Sequence, residues 1–161
     1  MNGHTNARSR QAGLAIVEFA LCMPLLAVIL LASVEIVNAF NQYSMLAHGV
    51  RESVRYVAAN SLVGTTDVVA NPLPATVLGN ARNLVVYGNT AGTGNARLPG
   101  LTAGQVTVTP VGTDSVRVAV VYPYQSLLGG SISMFGFGPN ISTSFNLTVT
   151  NTMRGLAMGG L

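Results

Sequence analysis

Gly13 and Glu18, a glycine and a carboxylate five residues apart, stand at the head of an apolar run from Leu14 to Val34. Glu18 is the one charged side chain in that run; Arg8 and Arg10 precede it and Glu35 closes it. An ionisable group in hydrocarbon costs about 2.5–3.5 kcal/mol on insertion scales. Glu18 must therefore snorkel towards headgroups or find a partner. A cut between Gly13 and Leu14 would create an α-amine one helical turn before Glu18. That amine, or the one on an adjacent chain, would be a cationic partner that offsets the desolvation of both groups. Such a pair would fix register between packed helices, a structural role with no turnover.

The remaining reactive side chains do not assemble. Arg51 and Arg55 lie one turn apart with Glu52 beside them, a solvated helix face or a contact for a partner or for headgroups. Glu35 is seventeen positions beyond Glu18, about 25 Å along a helix, and is expected as an exposed carboxylate at the far interface. Cys22 is alone, so it reads as a small hydrophobe of the apolar run. His4 and His48 are far apart, and Asp67 and Asp114 occupy turn-like settings. Gly88–Gly104 lacks the Gly-Lys-Ser/Thr ending of a phosphate loop. Asn140 and Asn146 open glycosylation sequons of no evident consequence. No catalytic constellation, cofactor or metal is expected, and the chain does not read as an enzyme.

The sequence pI of about 9.5 suggests nucleic acid, but the distribution excludes it. All eight basic residues are Arg, and two of them precede Gly13. Six Arg against five acidic residues remain beyond that point, scattered and without interleaved aromatics. The basic stripe of a nucleic-acid interface is missing.

The elements that must position Gly13 and Glu18 follow from periodicity. The apolar run is close to the ~20 residues that cross a bilayer as a helix. Beyond it, Phe40, Tyr43, Leu46, Ala47, Val50, Val54, Val57 and Ala58 recur at spacings of three and four, which extends the helix to Asn60 with one apolar face. Leu14–Asn60 would measure about 70 Å. Pro24 lies inside, as membrane helices tolerate. Asn71-Pro72 predicts the start of a second helix carrying Val77, Leu78, Ala81, Leu84 and Val85. A Gly-rich loop over Gly88–Gly104 follows. Gln105–Thr109 and Ser115–Val120 alternate with period two around a Gly112–Asp114 turn, which predicts an antiparallel hairpin. Leu128–Pro139 reads as a flexible stretch and Thr143–Thr150 as a last strand. The predicted class is α+β: a long N-terminal helix, a short second helix and a small antiparallel sheet of about three strands covering the helix's distal face.

Gly, four apolar or small residues and then Glu, after a short basic leader, resembles the processing motif of type IV prepilins. The continuation narrows the resemblance: Arg10-Gln-Ala-Gly-Leu-Ala-Ile-Val-Glu-Phe-Ala20, Met23-Pro24-Leu25-Leu26, Glu35-Ile36, Ala39-Phe40 and Arg51-Glu52-Ser53-Val54-Arg55-Tyr56. Over residues 8–58 this succession resembles TadE-like proteins, pseudopilins of the tight-adherence (Flp) pilus system. The resemblance implies a pilin-like fold and cleavage after Gly13 by a prepilin peptidase on the cytoplasmic side, with Leu14 as a methylation site. It implies a part in pilus assembly, with other pseudopilins or pilin subunits and inner-membrane platform proteins as partners. Major Flp pilins are little more than the helix and tend to carry Tyr after the glutamate. Here residues 61–161 follow the helix and position 19 is Phe19, departures that favour a minor pseudopilin.

The corresponding organisation is a cytoplasmic leader (1–13), a transmembrane helix (14–34), an amphipathic extension (35–60) and a small periplasmic α+β region (61–161). This makes a single-pass protein of a bacterial inner membrane with its N-terminus cytoplasmic. Two alternatives remain. A conventional signal peptide, cut after Ala39, would release a small β-rich secreted domain. A signal-anchored periplasmic enzyme would need a cluster of reactive side chains that the sequence does not offer.

Overall fold

A computed structural model describes residues 4–64, 66–136 and 138–155, with side chains from Gly13 onward except that of Leu14. The fold is α+β. Helix α1 runs His4–Asn60 and α2 Ala75–Tyr87, followed by a 3₁₀ turn at Ala103–Gln105. Strands β1 (Val106–Val111), β2 (Ser115–Pro123) and β5 (Asn146–Arg154) form an antiparallel sheet in the order β1-β2-β5. Strands β3 (Ser131–Ile132) and β4 (Ile141–Ser142) pair separately. The chain divides into two compact units: the part up to Asn38 with Ser126–Ser144, and Ala39–Gln125 with the part from Phe145 on.

In the second unit, α1 contributes Leu46, Val50, Val54, Val57 and Ala58 to the core. The expected apolar face holds from Leu46 onward. Phe40 and Tyr43, assigned to the same face by spacing, are exposed, and Gln42 is buried in their place. Two contacts fasten α2 to α1. Ser53, fully buried, donates its hydroxyl to the Ala81 carbonyl at 2.9 Å, and Gly49 admits the α2 backbone so closely that a Cβ would lie 3.1 Å from the Val85 carbonyl oxygen. Helix α2 begins later than Asn71-Pro72 predicts. Leu73 precedes Pro74, and a residue before proline is pushed out of the helical region; Pro74 itself is extended, with ψ 136°. The helix ends at Gly88, where φ is 78° and the amide donates to the Leu84 carbonyl at 3.1 Å.

Alternation in β1 and β2 turns Val106, Val108, Val116, Val118, Val120 and Tyr122 inward. The register sets Val106 opposite Val120 and Val108 opposite Val118, while Val149 of β5 stands opposite Val120. Together with α1 and α2 they close a core in which most side chains are valine. Tyr122, its one fully buried aromatic, donates its hydroxyl to the Pro99 carbonyl at 2.7 Å. Burial raises its pKa above the usual 10.0. The hairpin turn is where the alternation predicts it, with Gly112 in the left-handed region at φ 65°. The last strand is displaced three to four residues from Thr143–Thr150.

In the first unit, Ser126–Ser144 folds as a lobe beside α1. Ser131 pairs with Ser142 and Ile132 with Ile141, and the Thr143 amide donates to the Gly130 carbonyl at 2.9 Å. The stretch read as flexible therefore carries β3, a strand of two residues amid glycines that no alternation announces. Leu21, Pro24, Leu25 and Val28 of α1 line an apolar groove of about 350 Å³ with Met134 of the lobe.

Candidate processing and assembly site

Gly13 lies inside α1. It is not among the positive-φ glycines, and a Cβ built on it meets nothing within 4 Å. Neither backbone conformation nor packing within the chain calls for glycine, which weakens a helix interior by about 1 kcal/mol relative to alanine. Leu14 is helical too, its side chain lying outside the described set. Glu18 follows one turn after Leu14, on the same face of the helix by spacing.

Glu18 and Phe19 are both exposed. Around them Ile16, Val17 and Leu21 are 57–69% exposed, so the carboxylate stands on an otherwise apolar surface. The most apolar eighteen residues of this helix have a mean hydropathy of 2.5, and most side chains between Ala15 and Ala32 are exposed. Among the described residues it is the one helix long and apolar enough to cross a membrane. Cys22 lies exposed on the same stretch.

Arg51 and Arg55 are exposed in the second unit. Glu52, beside them in sequence, pairs with Arg97 from the Gly-rich loop. Arg97 spans the space over Gly88, where a Cβ would lie 2.7 Å from its Nη2. Asp114 receives Arg154 at 3.0 Å across the base of the β1–β2 turn. Among the described residues no three His, Cys, Asp or Glu side chains gather as a metal site would require.

Two polar side chains that sequence reasoning misplaced or missed are the best-anchored of α1. Glu35, expected at an exposed interface, is 5% exposed. Its Oε1 accepts the Ser126 hydroxyl at 2.8 Å and the Leu128 amide at 2.8 Å, so the lobe supplies the donors that burial of a carboxylate demands. Seven positions on, in the other unit, the buried Gln42 pairs its amide with the Gln125 backbone. Its Nε2 donates to the carbonyl at 2.8 Å and its Oε1 accepts from the amide at 3.2 Å. The available signal was positional: both stand where a buried helical stripe continues from Leu46 towards Val28 at intervals of four and seven.

Residues 13–55 match the family model described as TadE-like protein, a match that opens at Gly13. Over that stretch the chain is similar to TadE-like proteins. No curated protein and no solved structure matches it. The TadE-like stretch takes in Gly13, Leu14, Glu18, Phe19, Glu35, Gln42, Arg51 and Arg55. The distal α2, the sheet and the lobe lie beyond it.

Proposed function

We propose that this TadE-like chain is a membrane-anchored minor pseudopilin that takes part in assembling a tight-adherence pilus after prepilin peptidase removes residues 1–13. The observation that carries this reading is Gly13: a glycine in a helix interior, without positive φ or a crowding neighbour, at the first position of the family match. A peptidase that must bring a backbone carbonyl into its site supplies the requirement that the fold does not. Glu18 complements it. Cleavage would place an α-amine on Leu14, and the pair it forms with an exposed Glu18, in the same chain or a neighbour, would set the register of helices packed in the membrane or in the filament base. Arg51 and Arg55, exposed on the extension, would meet a partner pseudopilin, a pilin subunit or a platform protein. Residues 1–13 would be cytoplasmic and the distal unit periplasmic.

The test is the mature N-terminus of the full chain in a host with a tight-adherence system, by intact mass and terminal sequencing. A start at Leu14 is expected. Gly13→Leu, at a position where a Cβ meets nothing within 4 Å, should accumulate as precursor, and normal processing of that variant would refute the reading. A start at Phe40 would indicate a conventional signal peptide. Glu18→Ala should insert and be cut normally yet fail to support piliation; wild-type piliation would remove Glu18 from the assembly role.

A further inference from the structure

We propose that the free edge of β5 is a docking site for an extended segment of a partner subunit, which adds a fourth strand to the sheet. The inference rests on the reading that the chain takes part in pilus assembly. In the order β1-β2-β5 each outer strand has one side without a neighbouring strand. The register identifies the groups on that side of β5. Just past the two ends of the β2–β5 ladder, the Tyr124 amide donates to the Phe145 carbonyl and the Gly155 amide to the Asp114 carbonyl. An antiparallel ladder bonds alternate pairs, so the odd-numbered residues of β5 turn their amides and carbonyls towards β2. Those of Thr148, Thr150 and Thr152 point the other way, where no strand lies among the described residues.

The two outer edges differ in their protection. Proline, charge and a covering helix are the usual means of blunting an edge. β1 carries Pro110, which has no amide to offer, and lies beside α2. β5 has neither proline nor charge from Leu147 to Met153, and Arg154 at its end is held by Asp114 at 3.0 Å. The side chains along β5 describe what fits. On the inner face Leu147 and Met153 are partly buried at the margin of the core, and a strand laid beside β5 would cover them. On the outer face Thr148, Thr150 and Thr152 are exposed, and the exposed Arg117 donates its Nε to the Thr152 hydroxyl at 3.3 Å. The matching segment therefore alternates apolar residues inward with small polar residues outward, and sets an acceptor side chain near Thr152. The β5 of a second copy is the wrong occupant. Two such edges pair antiparallel only by turning one copy end for end, with the α1 residues Leu46–Ala58 that pack on its sheet. Chains anchored in one bilayer share one direction, so the strand comes from a different subunit.

Residue-resolved hydrogen exchange on the full chain in detergent reads the edge first. The Thr148, Thr150 and Thr152 amides should exchange about tenfold or more faster than those of Val149 and Asn151. Equally slow exchange at all five would mean an edge already covered, by the chain itself or, where protection rises with concentration, by a second copy. Either case would overturn the proposal. In membranes of a piliated host the three threonine amides should slow by about tenfold or more, and in a host without the assembly system they should stay fast. Equal rates in the two hosts would also overturn it. Thr150→Pro removes the central edge donor without touching a bond to β2, and proline is tolerated on the outward side of an edge strand. This variant should be cut after Gly13 and melt like the wild type, yet lose piliation. Thr150→Val keeps the amide and should retain it. Piliation of the Pro variant, or its loss in both, would refute strand addition and leave the pilus reading standing. Should Thr150→Pro melt early, the exchange comparison between hosts decides. Normal pili in a host deleted for the whole chain would overturn the pilus reading instead.

Discussion

Removing the Glu35 carboxylate should release the lobe. Glu35→Ala deletes two bonds of 2.8 Å to a buried carboxylate oxygen. Hydrogen bonds to charged groups contribute about 1.5–3 kcal/mol each, but the two losses do not add. The Ser126 hydroxyl already lies 3.1 Å from the Leu128 amide and can take over as its acceptor. A net loss near that of one bond, about 1.5–3 kcal/mol, is the reasonable expectation. At a tenfold change per 1.36 kcal/mol, local opening should become about 10- to 150-fold more frequent. The reporter is the Thr143 amide, bonded to Gly130 within the lobe and making no bond to Glu35. Its hydrogen exchange, followed in the reconstituted protein under conditions where exchange tracks the opening equilibrium, should accelerate by that factor. Glu35→Gln keeps one acceptor oxygen while losing the charge and turning the other oxygen into an amide donor, so its acceleration should be smaller. Unchanged exchange at Thr143 in Glu35→Ala would refute the idea that Glu35 anchors the lobe.

Further outcomes follow from the distal unit. Tyr122→Phe loses the bond to Pro99 and strands a carbonyl, which should cost about 1–3 kcal/mol in thermal or urea unfolding of the full chain in detergent. Because the folded-state pKa of Tyr122 is raised by desolvation, its stabilisation is complete below pH 10 and is lost as pH rises through the folded value. The alkaline fall in stability should therefore be smaller in the Phe variant, and an identical pH profile would exclude Tyr122 as its source. Gly88→Ala forces a side chain into φ 78° and against Arg97, a loss of about 1–2 kcal/mol or more. Gly79→Ala, in α2 with nothing within 4 Å of the new methyl, should gain up to about 1 kcal/mol by the same assay.

Much of this fold was legible because its strongest signals are local. The alternation of Val116, Val118 and Val120 and the turn at Gly112 identify the hairpin without any knowledge of its partners, and spacing from Leu46 to Ala58 identifies the buried face of α1. What escaped is non-local or polar. Glu35 and Gln42 belong to the buried line of the helix, but they are buried by donors and acceptors at residues 125–128, more than eighty positions away. A search for apolar periodicity therefore passed over Gln42 and chose Phe40 and Tyr43. Glu52 was grouped with its helix neighbours because the loop that delivers Arg97 has no pattern of its own. At the proposed processing site the motif is a reading of the residues alone. The structure sharpened it by showing that Gly13 has no conformational or packing reason to be glycine.

The valine-rich core has a consequence for how this small distal unit stays unique. Valine is stiff at χ1 and strongly favours one rotamer when helical, so a layer of valines has few alternative ways to interlock. It gives up little side-chain freedom on folding, unlike a core of leucine and methionine, which can repack around a defect. The same stiffness leaves it brittle. A missing methyl between the valines of α1 and the sheet has few long neighbours to swing into the gap, Leu46, Leu147 and Met153 standing at the margin, so much of the cavity penalty should persist.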